Sequence, residues 1–473
     1  MDTAIGMGMG TQALALLPEI VLLLGALAVL LSGSFLPRRR LGWTRALTLV
    51  VLVGAGLVAA VQLDSAARTV FDASYAIDTP TGAVRLVVLG ATALVVLLAG
   101  DELAGMVRQA ETCCLLLLGS LGTVVLAGAH DLLLVVTGFL LASVPLYALV
   151  GLARTRSAAE AAMKTYFFGS LFGIVLMAGV AVLYGVAGNT SYTDLAASLP
   201  AAPRGALIFG AVAVLGGLMF KAGGVPGHFW VPDATQAGST VAAAYLTTVP
   251  KIGALVAAYR LVLVLPGAAH APLLVALLAA ASMTLGNLAA FAQNDPRRLL
   301  GWSTVSQVGY LLVPVAVAGR SDLALPGLLV YLAGYAVTNI AAFAVVAALP
   351  DRRHLDNYAG LFREKPGLAA ALTVSLLGLV GTPPTAVFVG KLAVATAAWD
   401  AGLPWLTITV LVNSVVSLFY YLLWIAPLVR TTAGSGSVSP WGYRSAVAAS
   451  GISVAVGLLS ALLWGLFGGP AVG

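Results

Sequence analysis

Apolar residues fill most of this chain in runs of about 18 or more, the length a helix needs to cross a bilayer at about 1.5 Å per residue. Short polar stretches rich in Gly, Pro, Arg and Asp separate them. The runs predict helices near 13–35, 45–63, 83–100, 112–129, 132–152, 162–186, 205–245, 247–265, 272–292, 299–319, 323–349, 367–399, 404–428 and 444–467. The seventh and twelfth are too long for one crossing, and each carries a breaker, "KAGGVPGH" and "GTPPT". Pro and Gly interrupt a helix at membrane depth only where the freed backbone groups meet protein or water. The expectation is an all-α polytopic membrane protein of about fourteen transmembrane helices, with discontinuous helices 7 and 12. A β-barrel would instead alternate apolar and polar residues over short segments.

The broken helices are each the fourth of a group of five, which is the pattern of a duplicated transporter unit. We therefore expect one membrane domain over 1–473. Three helices occupy 1–105, two inverted five-helix repeats 106–265 and 266–430, and a last helix 431–473.

Of the 473 residues, 60% are hydrophobic and only 9% charged. The net charge of +6 does not point to nucleic acid, because the arginines cluster in short loops between apolar runs. With the N-terminus outside, "PRRRLGWTR", "ARTRS", "NDPRR", "DRRHLDNYAGLFREK" and "VRTTAGSGSVSPWGYR" all face inward, while outward loops hold single arginines such as Arg68, Arg204 and Arg320. That bias predicts both termini outside. The first run, "ALALLPEIVLLLGALAVLLSG", exceeds a signal-peptide core and its positive charges follow it, so it reads as a retained helix. Cys113 and Cys114 are adjacent in an apolar run, a pattern of core residues. The chain has no Gly-rich phosphate loop, CxxC pair or HExxH, so redox or nucleotide chemistry would belong to a partner.

The lysines change the picture. Arginines lie in loops or near helix ends, but Lys164, Lys221, Lys251 and Lys391 fall inside apolar segments, leaving only Lys365 in a loop. A guanidinium stays charged at any accessible pH, whereas a buried ammonium can release and regain its proton. Ionisable groups at membrane depth are costly and mark function. Lys221 and Lys391 adjoin the two breaks, Lys251 follows Pro250, and His228 lies in the first break. Together they outline protonatable groups facing a hydrated interior. Lys164, one turn into its helix, also fits an interfacial role.

The stretches "LPEIVLL", "ASVPLYALVG", "EAAMKTYFFGS", "FKAGGVPGHFWVPDATQAGSTVAAAYLTTVPKIG", "GNLAAFAQNDPRRLLGWSTVSQVGYLL" and "GLVGTPPTAVFVGK" resemble the antiporter-like membrane subunits of respiratory complex I, NADH:quinone oxidoreductase. The resemblance implies a proton-translocating subunit of the membrane arm in a bacterial plasma membrane. It also implies no cofactor in this chain, with NADH, FMN, iron–sulfur clusters and quinone held by partner subunits. Its neighbours would be the antiporter-like subunit M and the small subunits J and K. Lys221, Lys251 and Lys391 match the family's lysines of helices 7, 8 and 12, Lys164 a lysine near the cytoplasmic entry, and Glu19 an acidic residue of structural role. In one respect the chain departs from the pattern: where the family writes E-L-x-S-x-P-L-Y, this chain has "LLASVPLY", with Leu140 in place of the glutamate expected to pair with Lys221. Two further readings fit the same residues. One is a non-pumping structural subunit of that arm, and the other a component of a cation/proton antiporter or related redox complex.

Overall fold

The computed structural model describes residues 8–63, 65–430 and 437–472. Residues 431–436 of the loop 429–444, read above as inward, lie outside the described residues. Among the described residues, twelve helices are long and apolar enough to cross a membrane. They become thirteen if Pro440–Leu458 and Ser460–Phe467, bent by 72°, form one crossing. The segment expected at 367–399 falls outside this count because it is divided into Pro366–Val380 and Ala386–Asp400, each 15 residues long.

The segment expected at 205–245 is also redistributed. Arg204–Ala222 ends at Gly223, the short helix Trp230–Ala237 follows, and the next long helix begins at Thr240, not near 247. Thr240–Val264 has its ladder interrupted at Thr247 and Thr248, leaving Thr240–Leu246 and Val249–Val264. Pro250 is the reason: it has no N–H to donate, and it sits in the first turn of the second piece.

Thr240–Val264, Pro296–Ala316 and Ala324–Ala348 form the buried centre, whereas Leu17–Phe35, Gly42–Gln62 and Arg156–Ala187 leave broad apolar faces exposed, as a lipid-facing rim requires. A two-stranded hairpin absent from the sequence expectation, β1 (Arg68–Val70) with β2 (Tyr75–Ile77), covers one end, with Arg68 opposite Ile77. The adjacent cysteines are buried and free, as expected of core residues.

Two buried arginines, which the sequence reading had left among residues of loops and helix ends, tie the bundle together. Arg85 makes a two-pronged contact with Glu19 (Nε to Oε1 2.8 Å, Nη2 to Oε2 2.9 Å), and Tyr75 donates to the same carboxylate. Arg260 donates to Asp78 (2.7 Å), to Thr81 and to the Ala127 carbonyl. The other oxygen of Asp78 accepts from the Val472 N–H at the far end of the chain. At the opposite end, the short helix Gly100–Gly105 supplies two adjacent acids. Glu102 accepts from the Thr240 and Val241 N–H groups (3.1 and 3.2 Å), and Asp101 accepts from the Ser439 hydroxyl and the Trp441 N–H. Each acid thereby caps the positive end of a helix it is not part of. Glu102, Asp101, Asp295 and Arg297 line a cavity of about 910 Å³ between these helix ends.

Candidate functional site

Both breaks are built alike. Gly223 (φ 80°) and Gly381 (φ 90°) end their helices in the left-handed conformation that glycine adopts without strain. The N–H groups of Gly223 and Gly224 return to Met219 O, and those of Gly381 and Thr382 to Leu377 O. A lysine passes directly over each glycine. A Cβ on Gly223 would stand 2.7 Å from Lys251 Nζ, and one on Gly381 would stand 2.9 Å from Lys391 Cδ. Glycine is therefore required twice over, for its backbone angle and for the space it yields.

The ammonium groups fill that space. Lys251 Nζ donates to Ala222 O at 2.6 Å, and Lys391 Nζ donates to Val380 O and Leu379 O at 2.9 and 3.2 Å. These carbonyls are the negative ends of the interrupted helices, a setting that favours a cation. Lys391 also lies 3.9 Å above the Tyr310 ring, and Lys251 5.6 Å from that of Trp230. Lys221 donates to Ser143 Oγ at 2.6 Å and faces the Phe139 ring at 5.3 Å. All three lysines are buried, and none makes an ion pair with a carboxylate among the described residues.

Polar side chains lie between the lysines. Gln307 donates to Leu379 O, the carbonyl that Lys391 also uses, and accepts from the Tyr331 hydroxyl. One turn along that helix, Tyr335 donates to Thr247 O and Thr304 Oγ1; a further turn on, Asn339 donates to the hydroxyls of Thr247 and Thr248. Thr248 precedes Lys251 by three residues. The sequence reading missed this group, although its signal was present: Tyr331, Tyr335 and Asn339 are spaced i, i+4, i+8, which lines one helix face.

Three expectations need correction. Lys164 does not join the buried row: its side chain is 47% exposed and pairs with Glu160 (2.7 Å) and Asp233 (3.5 Å). The helix begins at Arg156, six residues before the start expected near 162, so Glu160 lies within it one turn before Lys164. This lysine is near enough to its helix end for the flexible stem to reach the polar rim. His228 also stands apart; it is half-buried against Trp302 and Phe229, with ring centroids 5.6 and 6.1 Å away. Leu140 is 43% exposed. At about 100° per residue, it lies roughly 80° round its helix from the Phe139 and Ser143 face that meets Lys221. The residue of this helix that touches the lysine is Ser143, so Leu140 does not fill the seat of a direct ion partner.

Residues 129–417 match the family described as NADH:quinone oxidoreductase/Mrp antiporter, TM. The chain is 54% identical to NADH-quinone oxidoreductase subunit N of Mycobacterium sp. (strain JLS), over 96% of this chain and 98% of the relative. It is 50% identical to NADH-quinone oxidoreductase subunit N 1 of Streptomyces griseus, over 98% and 99%. Among solved structures, a chain of respiratory complex I from Thermus thermophilus with bound aureothin superposes with a TM-score of 0.83 at 30% identity, covering 96% of this chain and all of that one. By sequence and by fold, the chain belongs to the NADH:quinone oxidoreductase/Mrp antiporter family, as a member of its NADH-quinone oxidoreductase subunit N group.

Proposed function

We propose that this chain is a proton-translocating subunit in the membrane arm of a complex I-type NADH:quinone oxidoreductase, with Lys221, Lys251 and Lys391 relaying protons across its centre. One contrast carries the reading. The three buried arginines among the described residues, Arg85, Arg260 and Arg352, whose charge is permanent, each have a carboxylate beside them, while the three buried lysines have only carbonyls, a hydroxyl and aromatic rings. A fixed ammonium would be expected to have an anion to offset its desolvation; one that must give up its proton is held by groups that bind both its charged and neutral forms. Gln307, Tyr331, Tyr335 and Asn339 would order the path between the lysines. Lys164, at the rim beside Asp233, would act at the entry, and His228 beside the first break would line the approach.

In this reading the divided helices count as single crossings, which gives fourteen spans in two inverted repeats flanked by three helices and one. NADH, FMN, iron–sulfur clusters and quinone would reside in partner subunits. The broad exposed helix faces would meet lipid of a bacterial plasma membrane and neighbouring arm subunits of the M, J and K types. A non-pumping scaffold fits less well, since it gains nothing from the cost of three unpaired buried ammonium groups.

The test is made in membrane vesicles holding the assembled complex, with Lys221→Ala compared against the exposed Arg40→Ala. The lysine variant should lose NADH-driven proton uptake and the surface variant should keep it. Normal coupled turnover with Lys221→Ala would sink the relay.

A further inference from the structure

The loop between Gln109–Gly128 and Leu132–Gly151 holds a histidine that the lysine row does not use. The His130 backbone is pinned from both sides: its N–H donates to Ser74 O (2.9 Å) and its carbonyl accepts from the Tyr192 N–H (3.0 Å). Its flanking residues bridge to Tyr75 and Ser191. The ring is 2% exposed and packs 5.4 Å from that of Tyr192. Yet neither ring nitrogen has a hydrogen-bond partner, and the same holds for the Tyr192 hydroxyl and for Nη1 of Arg260. Arg260 is adjacent, since it donates to Ala127 O and its charge acts on both His130 and Tyr192.

Four unpartnered polar atoms in one buried neighbourhood cannot be ignored. Each is destabilising if left unpaired, and buried polar clusters of this kind hold ordered water, with about three hydrogen bonds per molecule. The charged and titratable groups acting on the ring are Arg260, Asp78, Asp131 and Tyr192. Burial, reinforced by Arg260, pushes the imidazole down to about 4. At neutral pH one ring nitrogen therefore carries a hydrogen and the other a free lone pair.

We propose that His130, Tyr192 and Arg260 form a buried water-binding site through which the imidazole passes protons between the interior and the face that carries the hairpin. The free ring nitrogen takes a proton from water on one side while the N–H on the other nitrogen gives its own to water beyond. Exchange between tautomers resets the ring, and no electrons move. Tyr192 and Arg260 position the water. Arg260 lies nine residues beyond Lys251 on the same helix, about 13 Å further along its axis, which places the site between the lysine row and the hairpin. The inference rests on the relay reading for the source of the protons.

The test uses the assembled complex, purified for structure determination and in vesicles for pumping. Two variants are compared with the parent: His130→Phe, which keeps the ring contact but has no polar atoms, and His130→Gln, which binds water but cannot exchange protons between two nitrogens. At a resolution that resolves water elsewhere, the parent should show ordered water within hydrogen-bond distance of a ring nitrogen. Proton uptake should fall by about a hundredfold in His130→Gln, the low end of what a positioned acid–base group supplies. Water beside the ring together with that loss supports the site. A dry ring in the parent, or parental pumping with His130→Gln, overturns it. Lys391→Gln is measured in parallel, so that lost pumping there with normal pumping in His130→Gln condemns the histidine site while leaving the lysine row standing.

Discussion

Replacing Lys391 with methionine should abolish pumping and leave the complex about as stable as before. The ammonium makes two charge-assisted hydrogen bonds, to Val380 O and Leu379 O, and lies 3.9 Å above the Tyr310 ring. Such bonds return about 1.5–3 kcal/mol each, and a desolvated cation over an aromatic ring adds about 2 kcal/mol. Against this stands the burial of an ammonium with no carboxylate beside it, an effective penalty of several kcal/mol. Methionine has nearly the same length and needs no partner. Leu379 O keeps the Gln307 donor, so only Val380 O is left unpaired, at a cost of about 1–3 kcal/mol. These terms largely cancel, and the net change should stay within about 2 kcal/mol in either direction, since replacing buried charge by apolar volume is often neutral. The assay has two arms: proton uptake in vesicles, and the temperature at which this chain is lost from the solubilised complex. Parental pumping would refute the relay. A complex that no longer assembles would refute the cost argument and recast the lysine as a structural tie.

Glu19→Gln should behave in the opposite way, because it strands the buried Arg85 guanidinium. A loss of about 3–5 kcal/mol is expected, seen as poor incorporation into the complex, with pumping per assembled complex intact. The Glu102 carboxyl lies outside the spans and is raised above its ordinary value by burial. A group whose folded pKa is raised stabilises most below its unfolded value, about 4.3, and that share is lost as pH climbs through the raised value. Thermal inactivation of the complex should therefore become easier across that window, and Glu102→Gln should flatten the dependence; an equally steep profile in the variant would refute the assignment. Leu140→Glu should leave the pH profile of pumping unchanged, because position 140 is exposed and about 80° round the helix from the face that meets Lys221; a shifted profile would mean that the carboxylate reaches the lysine after all.

What was legible in the sequence was local. Apolar runs, and the Gly and Pro residues that end them, located both breaks, because a left-handed glycine and a missing proline N–H act within a few residues. The lysines at 221, 251 and 391 stood out because each lies in an apolar run beside a Gly or Pro that breaks or starts a helix. Lys164 was grouped with them although an interfacial role also fitted it; how far its flexible stem reaches toward a carboxylate depends on its distance from the helix end and on Asp233, 69 positions away in the numbering. The Arg260–Asp78 pair, whose members are 182 positions apart, leaves no local trace. Ser143, the partner of Lys221, was quoted in a motif but overlooked, since attention went to the missing acid at 140.

The contacts at the two ends of the bundle bear on how the chain is made. Asp101 accepts from Ser439 and Trp441, more than 300 positions later, and Asp78 accepts from Val472, 394 positions later. A growing chain adds about 5–20 residues per second, so both carboxylates wait tens of seconds after their own synthesis before these partners exist. Glu102 meets its partners, Thr240 and Val241, far sooner. The first helices are thus inserted before two of their acids meet these partners, which come from residues 439–472. A chain stopped before Ser439 would keep every lysine of the row and still lack these closures, so such a truncation should yield a subunit that is inserted but slow to join the arm.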